Sequence, residues 1–204
     1  MVKTEFIPTK VDIRKKMSES RRALPESERV QFSRVIGENL EQLESYVQAK
    51  GILFFMSLDE EVQTTYLMEH AFQRGKTVYL PLVDRDLKEI RITRLPNLDI
   101  EFVNTRYGIK EPQKAHWNLV SPTEIDFVLV PGLAFNLTGG RVGFGTGYYD
   151  RLLHILDPKT FKVGVAFDFQ LLQLLPQTSS DHKVQMIFTE KRTIACRQSL
   201  VEKG

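Results

Sequence analysis

The chain has 204 residues, enough to bury a substantial core, and is read as a single domain over 1–204. Its 42% hydrophobic and 26% charged residues are those of an ordinary globular protein, and a formal net charge of +2 supplies no field that would recruit nucleic acid or an acidic membrane. One cysteine, Cys196, excludes an intrachain disulfide and, with four histidines, argues against a structural zinc site. No apolar run spans a bilayer and MVKTEFIPTK has no signal core, so a cytoplasmic monomer or weak homo-oligomer is predicted.

Thr9 with Asp12 three residues on reads as the weaker, aspartate form of a capping box, so a helix is predicted from Lys10 to about Leu24. Pro25 suits the first turn of a second helix, along which Phe32, Val35, Ile36, Leu40, Leu43 and Val47 recur at three and four and which Gly51 closes. ILFFM at 52–56 has the form of a buried strand, and SLDEE leads from it to a helical segment over 62–74 that Gly75 ends. KTVYLP repeats the strand pattern, and strand, helix, strand in this order is a parallel crossover unit. IRITRL at 90–95 alternates as a strand, whereas 97–117 shows little pattern beyond YGIKEP at 107–112, a Gly/Pro-punctuated loop. Ser121-Pro122 starts a short helix, DFVLVPG is a strand, 148–156 a helix, FKVGVAF a strand, and MIFT and RTIAC late strands. The fold class is α/β: a largely parallel sheet with helices on both faces and an N-terminal helical pair.

GGRVGFGTGYYDRLL at 139–153 puts five of the twelve glycines within nine residues. A flexible surface loop would mix glycine with Ser, Asn and Asp, but here Val142 and Phe144 intervene. The pattern favours a loop whose backbone N–H groups approach an anion and which feeds a helix N-terminus. It leaves the carboxyl end of the predicted strand DFVLV, where ligands of such sheets sit. G-x-x-x-x-G-K-[ST], G-x-G-x-x-G and G-x-S-x-G are all missing, so the familiar phosphate loops and the serine-hydrolase elbow do not apply. Arg141 can grip phosphate bidentately, and Asp150 in the first helical turn can take Mg²⁺. A nucleotide triphosphate needs more cations than these. Lys10 and Arg14, four apart, share a helix face and can meet one polyanion, although spacing alone favours a solvated basic face with Lys15 and Lys16.

KVDIR, FFMSLDEEVQT, YGIKEP and above all PGLAFNLTGGRVGFGTGYYDRLL resemble the 5-formyltetrahydrofolate cyclo-ligase family, with a similar element order over about 8–195. The resemblance implies a three-layer α/β/α sandwich and an ATP- and Mg²⁺-dependent enzyme whose partners are 5-formyltetrahydrofolate and ATP. It would form 5,10-methenyltetrahydrofolate and release ADP and phosphate. Lys10, Arg14 and Arg141 take the catalytic, charge-stabilising positions. The nucleotide loop falls on Gly140, Arg141, Val142, Gly143, Phe144, Gly145, Thr146, Gly147, Tyr148 and Tyr149. Metal carboxylates fall on Asp150 and Asp181, and the folate pocket on Met56 and Glu61, with Phe144 to Tyr148 facing the substrate as well. Phe144 stands where relatives carry a tyrosine or an arginine, which leaves more of the phosphate charge to Arg141. Plainer readings remain for some positions: Glu61 as a helix-start carboxylate, Asp181 as a turn aspartate, Tyr149 as core. A noncatalytic nucleotide or folate binder, or a transferase on another acyl substrate, is the alternative function.

Overall fold

The computed structural model describes residues 8–84, 89–105, 108–176 and 182–196. Helix α1 (Lys10–Ala23) starts at the expected capping box: the Asp12 N–H donates to the Thr9 hydroxyl, and the Thr9 N–H donates to the Asp12 carboxylate, each at 3.2 Å. The Thr9 hydroxyl in turn donates to the Asp12 carboxylate at 2.6 Å, and this bond, followed by that from the Thr9 N–H, holds the Asp12 carboxyl below the usual carboxylate range. Helix α2 (Glu26–Leu40) follows Pro25. The single helix expected to reach Gly51 is interrupted at 41–43, and a separate α3 (Glu44–Gln48) follows. The break re-phases the apolar side. Tyr46 enters the core and packs edge-on against Phe127, while Val47, which an unbroken helix would bury, is exposed.

Strands β1 (Gly51–Leu53) and β2 (Thr77–Asp84) flank α4 (Thr65–Gln73), and β3 (Glu89–Arg94) returns beside β2. A small hairpin joins β4 (Phe102–Asn104) to β5 (Lys110–Pro112), so part of YGIKEP is strand rather than loop; its Tyr107 lies outside the described residues. Ser121 caps only a 3₁₀ turn, Pro122–Glu124, before β6 (Phe127–Val130). A second hairpin, β7 (Ala134–Phe135) and β8 (Arg141–Val142), precedes α5 (Tyr148–Ile155), β9 (Phe161–Val165), β10 (Met186–Phe188) and β11 (Thr193–Ala195). The large sheet has the order β11-β10-β9-β6-β1-β2-β3; its five inner strands are parallel and both edge strands antiparallel.

Alternation along the inner strands sorts the core into two layers, as a sheet covered on both faces requires. Ile52, Val78, Phe127, Leu129 and Val163 pack with side chains of α2, α3 and α4, whereas Leu53, Tyr79, Val128 and Val130 pack with Leu152 and Leu153 of α5. The three-layer α/β/α arrangement is therefore present. Helix α1 joins neither layer. Its Ile13 and Met17 form a third cluster with Leu133, Ala134 and Val142 around the β7–β8 hairpin. No helix among the described residues is long and apolar enough to cross a membrane.

Strand β1 leads through α4 to β2 on one side, and β6 leads through α5 to β9 on the other. The carboxyl ends of the adjacent strands β1 and β6 thus form the switch point at which sheets of this kind open a crevice. Thr9 matters there, because its cap sets the first turn that carries Lys10. Thr9→Ala should lower stability by about 1 kcal/mol in urea unfolding.

Candidate active site

The crevice is a cavity of about 480 Å³ walled by α1, the segment after β1, β2, β5 and the chain from Arg141 to Asp150. The segment after β1 leaves the sheet early: the expected strand 52–56 ends at Leu53, and the expected helix start at Val62 is delayed to Thr65. Side chains stitch the intervening turn. Thr64 Oγ1 donates to the Phe55 carbonyl at 2.6 Å, and the Thr64 N–H donates to Ser57 Oγ at 3.0 Å. Gln63 Nε2 donates to the carbonyls of Leu58 and Glu61, and Glu61 Oε2 accepts the Leu58 N–H at 3.0 Å. Polar side chains that satisfy backbone groups locally are what compete with a helix here. Glu61 is thereby a turn residue rather than a helix-start carboxylate, buried to 6% exposure and on the cavity wall with Met56.

The glycine-rich stretch begins as the turn of the β7–β8 hairpin, which places Arg141 on a strand rather than in a loop. Asn136 organises that turn by accepting the N–H of Gly140 at 2.8 Å and the N–H of Thr138 at 3.2 Å. Gly140 is spent on the turn and is not part of the cavity wall. Beyond it two glycines make room for guanidinium groups. A methyl at Gly143 would sit 2.6 Å from Arg141 Nη1, and one at Gly145 would sit 3.2 Å from Arg14 Cζ. Arg14 Nε donates to the Gly143 carbonyl at 2.9 Å, tying α1 to the loop. Gly147 then enters α5 in the left-handed conformation, φ 68°.

Arg141 is 7% exposed, and its Nη2 donates to Asp150 Oδ1 at 2.7 Å; its guanidinium lies 5.8 Å from the centroid of the Tyr149 ring. Burial, with the charge of Glu61 behind it, pushes the Tyr149 phenol up, and its hydroxyl is buried with no hydrogen-bond partner among the described residues. Tyr149 packs against both layers of the core yet also reaches the cavity, so it serves as wall and core together. The Glu61 carboxyl is also raised: burial is the largest cause, opposed by Arg21 and by the Leu58 N–H.

Lys10, Arg14, Met56, Glu61 and every residue from Arg141 to Asp150 line this one cavity. Lys10 and Arg14 part company with Lys15 and Lys16, which are exposed, so the basic residues of α1 do not form one solvated face. Asp181 lies outside the described residues. The described residues hold no group of three or more His, Cys, Asp or Glu able to bind a metal ion, and the Asp150 carboxylate is engaged by Arg141. Three residues escaped the sequence reading. Lys110 and Glu111 of β5 lie on the wall because a hairpin, not a loop, presents them. Arg21 pairs with Glu61 from below, and its spacing of seven from Arg14, two helical turns, was the available signal.

The cavity wall combines the cations Lys10, Arg14 and Arg141 with apolar side chains, Met56, Leu58, Pro81, Leu82 and Ile90 among them. A three-layer α/β fold with a crevice at its switch point is an enzyme-like scaffold that holds its ligands there. The model of the 5-formyltetrahydrofolate cyclo-ligase family matches residues 7–190, and the chain belongs to that family of ATP-dependent ligases. It is 33% identical to the 5-formyltetrahydrofolate cyclo-ligase of Haemophilus influenzae over 63% of this chain and 70% of that protein. The Escherichia coli K12 relative is 29% identical over 84% of this chain and 95% of its own. Among solved structures, the Aquifex aeolicus 5,10-methenyltetrahydrofolate synthetase superposes with a TM-score of 0.81 at 34% identity, covering 96% of each chain. The Mycoplasma pneumoniae enzyme of the same name gives 0.69 at 26% identity, covering 89% of this chain and 98% of that one.

Gly143 offers a selective probe of this geometry, since a side chain there displaces the far end of Arg141 rather than backbone. Gly143→Ala is expected to keep a near-native melting temperature while kcat/KM for ATP falls by roughly a hundredfold, the cost of a misplaced phosphate-gripping group.

Proposed function

We infer that the chain uses this cavity for the ATP-dependent conversion of 5-formyltetrahydrofolate to 5,10-methenyltetrahydrofolate, with release of ADP and phosphate. The observation that carries this reading is that Lys10, Arg14, Arg141 and the glycine stretch share one cavity with Met56, Glu61 and a set of apolar side chains. The nucleotide lies against those cations and the reduced pterin against Met56 and Glu61.

An N-formyl group is an amide, and N10 of the same molecule cannot add to it and expel hydroxide at neutral pH. Phosphorylating the oxygen removes that obstacle. The formyl oxygen attacks the γ-phosphorus in line and ADP leaves. N10 then adds to the activated carbon, the C–O bond breaks to release phosphate, and the N10 proton departs with it as the five-membered amidinium ring closes. Little covalent chemistry is asked of the protein, so its contribution is positioning and stabilisation of charge. Arg141, held by Asp150 and almost fully enclosed, acts where water screens it least. Arg14 holds the loop backbone through Gly143, and Lys10 extends the cationic wall. No histidine lines the cavity, in keeping with a reaction that requires no strong general base.

Mg²⁺ typically binds through one or two carboxylates together with substrate phosphates, and Asp150 offers one such carboxylate at the phosphate end. The residues present thus fit an ion delivered with ATP and held chiefly by its phosphates, and such an ion would neutralise charge on the nucleotide. The lone Cys196, half-buried and with its thiol pushed up to about 11 by burial, suits a reducing cytosol.

Incubation with 5-formyltetrahydrofolate and Mg·ATP should produce the methenyl chromophore, with none when ATP or the divalent ion is withheld, and Asp150→Asn should shift the magnesium titration to higher concentration. Chromophore formation without nucleotide would contradict the phosphoryl-transfer chemistry. Glu61 yields a pH test. A carboxylate can accept a ring N–H and an exocyclic amine of the pterin side by side, and only its ionised form does so. Because burial raises the Glu61 carboxyl, folate affinity should be full at high pH and decline as pH falls through that raised value, before ordinary carboxylates titrate. Glu61→Gln should flatten this profile and weaken folate binding by roughly 1.5 to 3 kcal/mol, leaving ATP binding in calorimetry unchanged.

A further inference from the structure

Arg21 is 1% exposed, buried more deeply than any other charged side chain among the described residues. It lies on the face of α1 that carries Lys10 and Arg14, but eleven residues from Lys10, or about 16 Å along the axis, too far to share a phosphate with it. Its Nη1 is 3.3 Å from Glu61 Oε1 and its Nη2 is 3.4 Å from Glu60 Oε1. On the remaining side the Phe144 ring, from the glycine stretch, stands 5.3 Å from the guanidinium carbon. Stability alone is a poor reason for this arrangement. Desolvating an arginine and a glutamate costs about what their attraction returns, and an apolar side chain of similar size would fill the space at least as well.

We propose that Arg21 is a positioning residue for the folate substrate: it holds Glu61 as an ionised, oriented acceptor at the pterin end, with Phe144 shielding the pair from water. The proposal rests on the reading of Glu61 given above. The charged and titratable groups facing Glu61 are Arg21 from α1, Glu60 from its own turn and the Tyr149 hydroxyl from α5. Arg21 is the only cation among these three. Its loss leaves a buried carboxylate beside a like charge, which takes up a proton and ceases to accept two hydrogen bonds. The two oxygens also have separate anchors, since Oε1 meets Arg21 while Oε2 accepts the Leu58 N–H. Removing Arg21 therefore frees the carboxylate to rotate as well.

The test is the steady-state kinetics of Arg21→Met and Arg21→Lys across pH, with thermal melts and direct ATP binding measured on each. Arg21→Met should raise the KM for 5-formyltetrahydrofolate roughly tenfold or more at neutral pH, leave ATP binding unchanged, and recover folate affinity as pH rises and Glu61 ionises. Arg21→Lys should show a smaller rise with the same selectivity for folate, because one ammonium supplies the charge but not the fork that spans both glutamates. A normal folate KM in a folded Arg21→Met protein overturns the proposal, as does a common loss of kcat, ATP affinity and folate affinity without recovery at high pH. Should Arg21→Met not fold, the folate-against-ATP split in Arg21→Lys decides alone. Glu61→Gln separates the two levels. A silent Glu61→Gln sinks the pocket assignment and this proposal with it, whereas a folate-defective Glu61→Gln beside a silent Arg21→Met sinks only the role of Arg21.

Discussion

Ile13 and Met17 leave one side of α1 and bury themselves against Leu133, Ala134 and Val142 of the β7–β8 hairpin, and that contact decides where the cations of α1 go. Burying two such side chains contributes roughly 1.5 to 3 kcal/mol each, enough to seat a helix that belongs to neither layer of the sandwich. With that side down, Lys10 and Arg14 turn toward the cavity and Arg21 sinks against the turn after β1. The hairpin beneath continues directly into the glycine stretch, so α1 and the loop it touches are registered by one hydrophobic contact. Arg14 adds a second tie through the Gly143 carbonyl.

Setting Arg14 and Arg141 on one cavity wall, with Arg21 buried against Glu61, creates a packing problem as well as an electrostatic one. The glycines answer the first: at Gly143 and Gly145 the space a side chain would take is filled by the guanidinium groups of Arg141 and Arg14. Carboxylates answer the second, since Asp150 partners Arg141 and Glu60 and Glu61 partner Arg21. Groups prepaired in this way need little reorganisation when substrate charge arrives, which is how fixed charges gain rate. The sheet supplies the location, because only between β1 and β6 do successive crossovers diverge and leave room above the strands.

Much of this was legible in the sequence, for identifiable reasons. The capping box at Thr9 and Asp12, the crossover from β1 to β2 and the strand FVLV are local or strongly patterned, and each appears where its signal lies. The turn after β1 was legible over SLDEE but not to its end, because hydrogen bonds donated by Thr64 and Gln63 and accepted by Glu61 carry it through 62–64, which the helical pattern also covers. The break at 41–43 was hidden likewise: Leu43 and Val47 continue the helical spacing, but the fold prefers Tyr46 against Phe127. The glycine stretch pointed to an anion, while its first half turned out to be a hairpin organised by Asn136. Arg21 gave only a faint signal, its spacing of seven from Arg14, because its partners, Glu60 and Glu61, lie 39 and 40 residues away across the turn after β1.

The central claim is that one crevice takes nucleotide and folate at separate ends, bridged by α1 and the glycine stretch. Amide hydrogen exchange, recorded with a non-hydrolysable ATP analogue and then with 5-formyltetrahydrofolate, tests it most directly, since each ligand slows opening of the backbone it contacts. The account predicts protection by the nucleotide analogue over the start of α1 and residues 141–150, and protection by folate over residues 55–63, with Phe144 and its neighbours responding to both. Protection by folate confined to the 141–150 segment, or none at 55–63, would contradict it.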